Sequence, residues 1–151
     1  MTASKAQQLQ PEEIQQLRNE VLWPHKSFEQ CVLETDHLPS TFHFGVKVDG
    51  DTVATVTLQQ EKNQRLQQEK QYRLRAMAVR EGYRGQGFGD AIVEAGLNHL
   101  KELGVEVVWC DARVAALNFY RRLHFNELEE EYEIPIIGMH RFMWKVLSSQ
   151  V

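Results

Sequence analysis

Apolar positions recur at helical spacing over residues 11–22, where Ile14, Leu17, Val21 and Leu22 line one stripe and Pro11 with two glutamates fills the first turn. This predicts a first helix ending near Trp23-Pro24. Cys31-Val32-Leu33 reads as a short strand inside a segment otherwise rich in turn residues. Residues 41–48 and 52–58 are β-rich and joined through Asp49-Gly50-Asp51, which predicts a hairpin with glycine at its tip. Residues 59–71 hold a single apolar side chain, Leu66, and are expected to form a protruding loop or frayed hairpin end. Alternation returns over residues 72–79, the pattern of a strand whose faces meet different surroundings. A broad apolar face from Phe88 to Leu100 predicts a second helix stopped at Leu103-Gly104. Residues 105–109 then read as a buried strand, 114–123 as a third helix, and 125–134 and 141–147 as two closing strands. The order is that of an α/β fold with helices packed on a mixed sheet.

Composition narrows the class. The 151 residues, 42% hydrophobic and 25% charged, suit one domain spanning 1–151. Seventeen Lys plus Arg against 21 Asp plus Glu give a net charge of −4 without a basic block, which argues against a nucleic-acid partner. The two cysteines, Cys31 and Cys110, make neither a disulfide framework nor a zinc pattern, so no metal is expected and a reducing, cytoplasmic compartment fits. No stretch has the apolar length of a membrane span, and the first residues lack the apolar region of an export signal.

The most informative stretch is Glu81-Gly82-Tyr83-Arg84-Gly85-Gln86-Gly87-Phe88-Gly89-Asp90, placed after a strand and opening a helix. Helix starts expose N–H groups and the positive end of the dipole, and glycines let a phosphate approach the backbone. Arg84 adds a permanent charge. A nucleotide P-loop needs a lysine directly after its last glycine, and none follows here until Lys101. A dinucleotide fingerprint is weakened at its third glycine, where Asp90 or Ile92 stands, although Asp111 at a strand end would suit a ribose.

The string Arg84-Gly85-Gln86-Gly87-Phe88-Gly89 matches the Q/R-x-x-G-x-G/A motif, and the chain resembles the GNAT superfamily of N-acetyltransferases. The likeness runs in order through residues 72–125. It takes in the strand ending L-R-A-M-A-V, the helix after the loop, V-E-V-V-W-C, and A-L-N-F-Y-R-R-L-H-F, similar to the family's A-x-x-F-Y-x-x-x-G-F. His124 stands where the family usually has glycine. The strings R-N-E-V-L-W-P and F-H-F-G also resemble small uncharacterised bacterial members.

The resemblance implies a GNAT-like acyl-CoA N-acyltransferase fold, a mostly antiparallel mixed sheet with splayed central parallel strands flanked by helices. It implies an acetyl-CoA-dependent N-acetyltransferase that passes acetyl directly to a primary amine through a tetrahedral intermediate, with CoA as product. Met77, Ala78 and Val79 would pair with the pantetheine amides, as an added strand does. Arg84, Gly85, Gln86, Gly87, Phe88, Gly89 and Asp90 would hold the pyrophosphate, and Asn118 would hydrogen-bond the cofactor. Tyr120 matches the family's acid position. The base is drawn from His140, Glu133, Glu131, Glu81 and His43, with His140 favoured for its pKa range. Arg75 and Glu133 are candidates for holding the acceptor, a small-molecule or protein amine. Cys110, at the end of an apolar strand, reads as a buried hydrophobe rather than a nucleophile. Exposed strand edges near the C-terminus are compatible with a homodimer. The competing reading is a non-catalytic acyl-CoA-binding or regulatory module on the same fold.

Overall fold

The computed structural model describes residues 3–147. The elements in order are β1 (Gln7–Leu9), α1 (Gln15–Leu17), β2 (Phe42–Val48), β3 (Asp51–Gln60), β4 (Gln71–Val79), α2 (Phe88–Glu102), β5 (Val107–Arg113), α3 (Leu117–Arg122), β6 (Asn126–Ile134) and β7 (Gly138–Val146). The strands hydrogen-bond in the order β1-β2-β3-β4-β5-β7-β6. β4 and β5 run parallel, while β1–β2, β2–β3, β5–β7 and β6–β7 are antiparallel. The architecture is the expected mixed, helix-flanked α/β sheet.

The chain forms two compact units. The first holds residues up to Gln60 and Leu74–His99; the second holds Glu61–Arg73 and the chain from Leu100 onward. In the first unit Ile14, Leu17, Val46, Val53, Val56, Leu58, Ile92 and Val93 are buried. Helix α2 lies close on β3 there, since a Cβ at Gly96 would meet the Leu58 side chain at 2.7 Å. In the second unit Val107, Val108, Cys110, Leu117, Tyr120, Phe125, Phe142 and Met143 are buried.

Several local details differ from the pattern-based expectation, each for a physical reason. The β2–β3 turn is tighter, a two-residue loop with Asp49 at φ 50° and Gly50 at φ 88°, the positive pair that matches strand twist. Strand β1 escapes the pattern because Gln7-Gln8-Leu9 offers one buried apolar side chain. The first helix is irregular. A 3₁₀ turn at Pro11–Glu13 leads into α1, and Arg18–Leu22 is π-helical, closed by Trp23 N–H to Arg18 O at 3.0 Å.

The expected strand at Cys31-Val32-Leu33 is instead a 3₁₀ turn, Glu29–Cys31, followed by further turns. Buried Arg18 explains this. Its guanidinium donates to Cys31 O at 3.0 Å and to both Asp36 carboxylate oxygens at 2.6 and 2.9 Å, and Asp36 also accepts the Leu33 N–H at 2.7 Å. Side chains thus take the backbone groups that a strand would offer to a neighbour.

Residues 61–70 are neither frayed nor loose. Buried Gln71 accepts the Asn63 N–H at 2.7 Å and donates to Asn63 O, Leu66 O and Gln68 O, pinning the loop to the start of β4.

Helices α2 and α3 end alike. Gly104 N–H bonds Lys101 O and Val105 N–H bonds Leu100 O; His124 N–H bonds Arg121 O and Phe125 N–H bonds Tyr120 O. Both endings need a left-handed residue. Gly104 (φ 81°) supplies it at α2, and His124 (φ 67°) adopts it at α3 despite its Cβ.

Candidate active site

The parallel ladder between β4 and β5 pairs Gln71, Tyr72 and Arg73 with Val107, Val108 and Trp109. Farther along β4, Ala76 is left-handed at φ 53°, a conformation that bends a strand and interrupts regular pairing. Met77, Ala78 and Val79 follow this bend at the strand's end, with Ala78 buried. Arg75 precedes it, half-buried in the first unit.

Beyond Val79 the chain turns through an exposed loop into α2. Arg80 N–H bonds Val53 O at 2.8 Å and Arg80 pairs with Glu20, fixing the loop's first stem. Arg84 Nε donates to Val79 O at 3.1 Å, and Gln86 donates to Gly82 O at 3.2 Å. The turn depends on Gly85 (φ 76°) and Gly87 (φ 82°), and a Cβ added at either would meet nothing within 4 Å. The loop surface at these glycines is open, which is the shape an approaching anion needs. Helix α2 begins with Ala91 N–H bonding Gly87 O at 3.0 Å, so the N–H groups of Phe88 and Gly89 lie at the helix start, ahead of its first internal bond. Fifteen residues of aligned peptide dipoles stand behind them. Asp90 lies in that first turn. The structure therefore gathers Met77 through Asp90 into one continuous strand–loop–helix unit.

Of the remaining candidates, Tyr120, Asn118, Cys110, His140, Glu131 and Glu133 lie in the second unit, and Glu81 and His43 in the first. Tyr120 is buried in α3, edge-on to Phe119 and Phe125 at ring distances of 5.0 and 5.3 Å. Burial, with Cys110 adding to it, pushes its phenol well above the ordinary range, so it stays protonated at neutral pH. Asn118, two residues earlier, is exposed and accepts from Arg121 at 2.9 Å. Cys110 is buried, and burial raises its thiol far above neutrality, as suits a packing residue.

His140 is buried in β7, and its Nδ1 donates to Gly138 O at 2.7 Å, which leaves Nε2 as the ring's basic nitrogen. Its ring stacks on Tyr132 at 6.2 Å. Glu133 is exposed on β6, and strand alternation puts it on the opposite face from Tyr132. Glu131 pairs with Arg141 at 2.9 Å, and Glu81 is exposed in the glycine loop.

His43 has no basic nitrogen to offer. Its Nε2 donates to Asp36 O at 3.0 Å, and its Nδ1 accepts from the Thr57 hydroxyl at 2.8 Å, which in turn accepts from Arg18 at 2.7 Å. Burial holds its pKa below the usual imidazole value, with Arg18 acting in the same direction. It belongs to the buried Arg18–Asp36 network rather than to catalysis.

Pattern reading passes over a polar cluster in the second unit. Asp111 accepts from Arg73 at 3.0 Å and from the Tyr132 hydroxyl, and Arg73 also reaches Glu61 at 3.5 Å. Arg73 lies over the Trp109 ring at 5.0 Å, and Trp109 donates its indole N–H to Glu61 O at 2.9 Å. The contacts between residues 61, 73, 111 and 132 arise from strand order, so a linear reading does not bring them together. Among the described residues no group of three or more His, Cys, Asp or Glu could hold a metal ion, and no helix is long and apolar enough to cross a membrane.

Comparison with known proteins agrees with this geometry. The model of the acetyltransferase (GNAT) family matches residues 9–125. The chain is 38% identical over 138 residues to the uncharacterized N-acetyltransferase YitI of Bacillus subtilis (strain 168), covering 91% of this chain and 93% of that protein. Among solved structures, the ribosomal-protein-S18-alanine N-acetyltransferase of Escherichia coli superposes with a TM-score of 0.76 at 19% identity, over 99% of this chain and 97% of that one. An acyl-CoA N-acyltransferase of Pseudomonas aeruginosa superposes at 0.71 and 22% identity, over 95% and 98%. These two likenesses concern the fold, while the family match and the B. subtilis relative concern the chemistry: the chain belongs to the acetyltransferase (GNAT) family and is an N-acetyltransferase.

Proposed function

We propose that the protein transfers acetyl from acetyl-CoA to a primary amine by direct attack through a tetrahedral intermediate, releasing CoA. The observation that carries this reading is the Arg84–Gly89 loop. It joins left-handed glycines, an open backbone surface and the start of a long helix directly after a bent strand end. N–H groups of Gln86, Gly87, Phe88 and Gly89 would hold the pyrophosphate, with that of Asp90 contributing, while Arg84 and Gly85 keep the loop's shape. The extended backbone of Met77, Ala78 and Val79 would pair with the pantetheine amides, and an N–H there would polarise the thioester oxygen. Asn118 would add a cofactor hydrogen bond.

Tyr120, held as a neutral phenol by burial, would return a proton to the departing thiolate. His140, with Nε2 as its basic nitrogen, would accept the proton that the amine must lose. Arg75 would approach the acceptor from β4, whereas Glu133, on the face of β6 opposite Tyr132 and its cross-strand partner His140, takes no part. Two buried free thiols, Cys31 and Cys110, support a reducing, cytoplasmic setting.

The test is a thermal shift with acetyl-CoA, CoA, NAD and ATP in parallel, followed by thiol release across a primary-amine panel. A rise confined to the CoA species is expected, since a ligand that binds only the native state stabilises it. No rise with either CoA species would overturn the reading.

A further inference from the structure

In the second unit a row of aromatic rings, buried at Trp109 and Phe142, lies beneath a cation. Trp109, Phe142 and Trp144 stack in series at ring distances of 5.7 and 5.9 Å, and Tyr132 stacks with His140. The Arg65 guanidinium lies 5.1 Å from the Phe142 ring centre and 5.9 Å from that of Tyr132, within cation–π range of both. This contact is delivered rather than incidental. Arg65 sits in the loop that buried Gln71 pins, and its own N–H bonds Asn63 Oδ1 at 2.9 Å, so the backbone from which the side chain reaches the rings is fixed.

Charge says what else would fit. Around these rings Arg73 pairs with Glu61 and Asp111, and Arg113 stands in register with His140, so the formal charges balance once Arg65 is set aside. With Arg65 swung away, the Tyr132 and Phe142 ring faces it covers are left for another small organic cation. The Tyr132 hydroxyl donates its proton to Asp111, so its oxygen lone pairs remain able to accept from an N–H donor.

We propose that the faces of Tyr132 and Phe142 form a cation subsite for the acceptor, that Arg65 fills it when no acceptor is present, and that an alkylammonium group takes Arg65's place. This rests on the reading of the acceptor as an amine and narrows it to amines that are cationic at neutral pH. Arg65 then acts as an internal competitor. It reduces apparent acceptor affinity by the fraction of molecules in which it occupies the rings, so its removal should tighten binding.

The probes are n-butylammonium and its neutral counterpart n-butanol, titrated into the full chain without CoA. The Trp109 indole N–H resonance is the reporter, since that ring stacks on Phe142. Arg65→Gln should bind n-butylammonium about fivefold or more tighter than wild type, the scale of one cation–π contact, with no gain for n-butanol. Adding Phe142→Leu to Arg65→Gln should remove the gain. Equal n-butylammonium affinity in wild type and Arg65→Gln, an equal gain for n-butanol, or no binding to either protein would overturn the proposal. An acetyl-CoA thermal shift on the same samples separates the two readings. A preserved shift with a failed ammonium titration refutes only the subsite, whereas absence of the shift from wild type refutes the cofactor assignment on which it rests.

Discussion

Substituting alanine at Gly87 and, separately, at Gly89 distinguishes a phosphate cradle from a mere turn. Gly87 is left-handed at φ 82°, a conformation that costs a residue with a Cβ about 1–2 kcal/mol. The new methyl would meet nothing within 4 Å, so this backbone term is the whole expected loss of stability. For a chain of this length it corresponds to a melting temperature lower by roughly 2–8 °C. A folded Gly87→Ala protein therefore remains available for ligand assays. Its methyl, however, would occupy the open surface where the pyrophosphate is proposed to sit. Acetyl-CoA at about 100 times its Kd should stabilise the wild type by about 2.7 kcal/mol, and this gain should vanish in Gly87→Ala. Gly89 lies inside the first turn of α2, where alanine is the better helix former. Gly89→Ala should melt at or slightly above the wild-type temperature and keep the acetyl-CoA response. Calorimetric titration alongside thermal melts reads both effects. A Gly87→Ala protein that is destabilised yet binds acetyl-CoA with wild-type affinity would refute the cradle and leave Gly87 as a turn residue.

Four further outcomes follow from the geometry. Tyr120→Phe should keep the acetyl-CoA thermal shift and lower turnover in thiol release; unchanged turnover at every pH would remove its acid role. His124→Gly should raise stability by about 1 kcal/mol by relieving the left-handed histidine, whereas Gly104→Ala at the matching position should lower it by a similar amount, both read by denaturant melts. Asp36→Ala should cost about 3–5 kcal/mol in a chemical denaturation curve, because it strands the buried Arg18 guanidinium; a loss below about 1 kcal/mol would show the network to be dispensable. Stability should also fall as pH drops below about 6.5. His43 binds its proton less readily folded than unfolded, so the unfolded chain takes up more protons there, and His43→Gln should flatten that part of the profile.

What the sequence disclosed follows how locally each feature is encoded. The hairpin around Asp49-Gly50, the second helix and its glycine stop, and the glycine loop each depend on residues within about ten positions of one another. Their periodicity and turn chemistry are therefore visible in a linear reading. Cys31-Val32-Leu33 misled because its three apolar residues suit a strand, while the force that curls them comes from Arg18 and Asp36 through side-chain bonds. Gln71 hid its role for the same reason. As a letter it is one glutamine among many, and only in the fold do its amide atoms meet four backbone groups of the preceding loop.

The two halves of the proposed chemistry differ in this same respect. Grip on the cofactor is assigned to backbone N–H groups, whose direction is set by φ and ψ, so glycine spacing marks an anion site and the family resemblance names its ligand. Selection of the acceptor is assigned to side chains from four separate segments: Arg65 and Arg73 on either side of Gln71, Asp111 on β5, and Tyr132 with Phe142 on the closing hairpin. Register joins them, through Arg73 opposite Trp109, Asp111 opposite Phe142 and Tyr132 opposite His140. Each of these residues can change without disturbing the glycine loop, which is why a backbone-built cofactor site can be held constant while the acceptor varies. In this chain the residue most open to such change is Arg65. It is exposed, lies outside every strand and helix, and sets its guanidinium over the rings, so replacing it alters the proposed acceptor preference with little consequence for the sheet beneath.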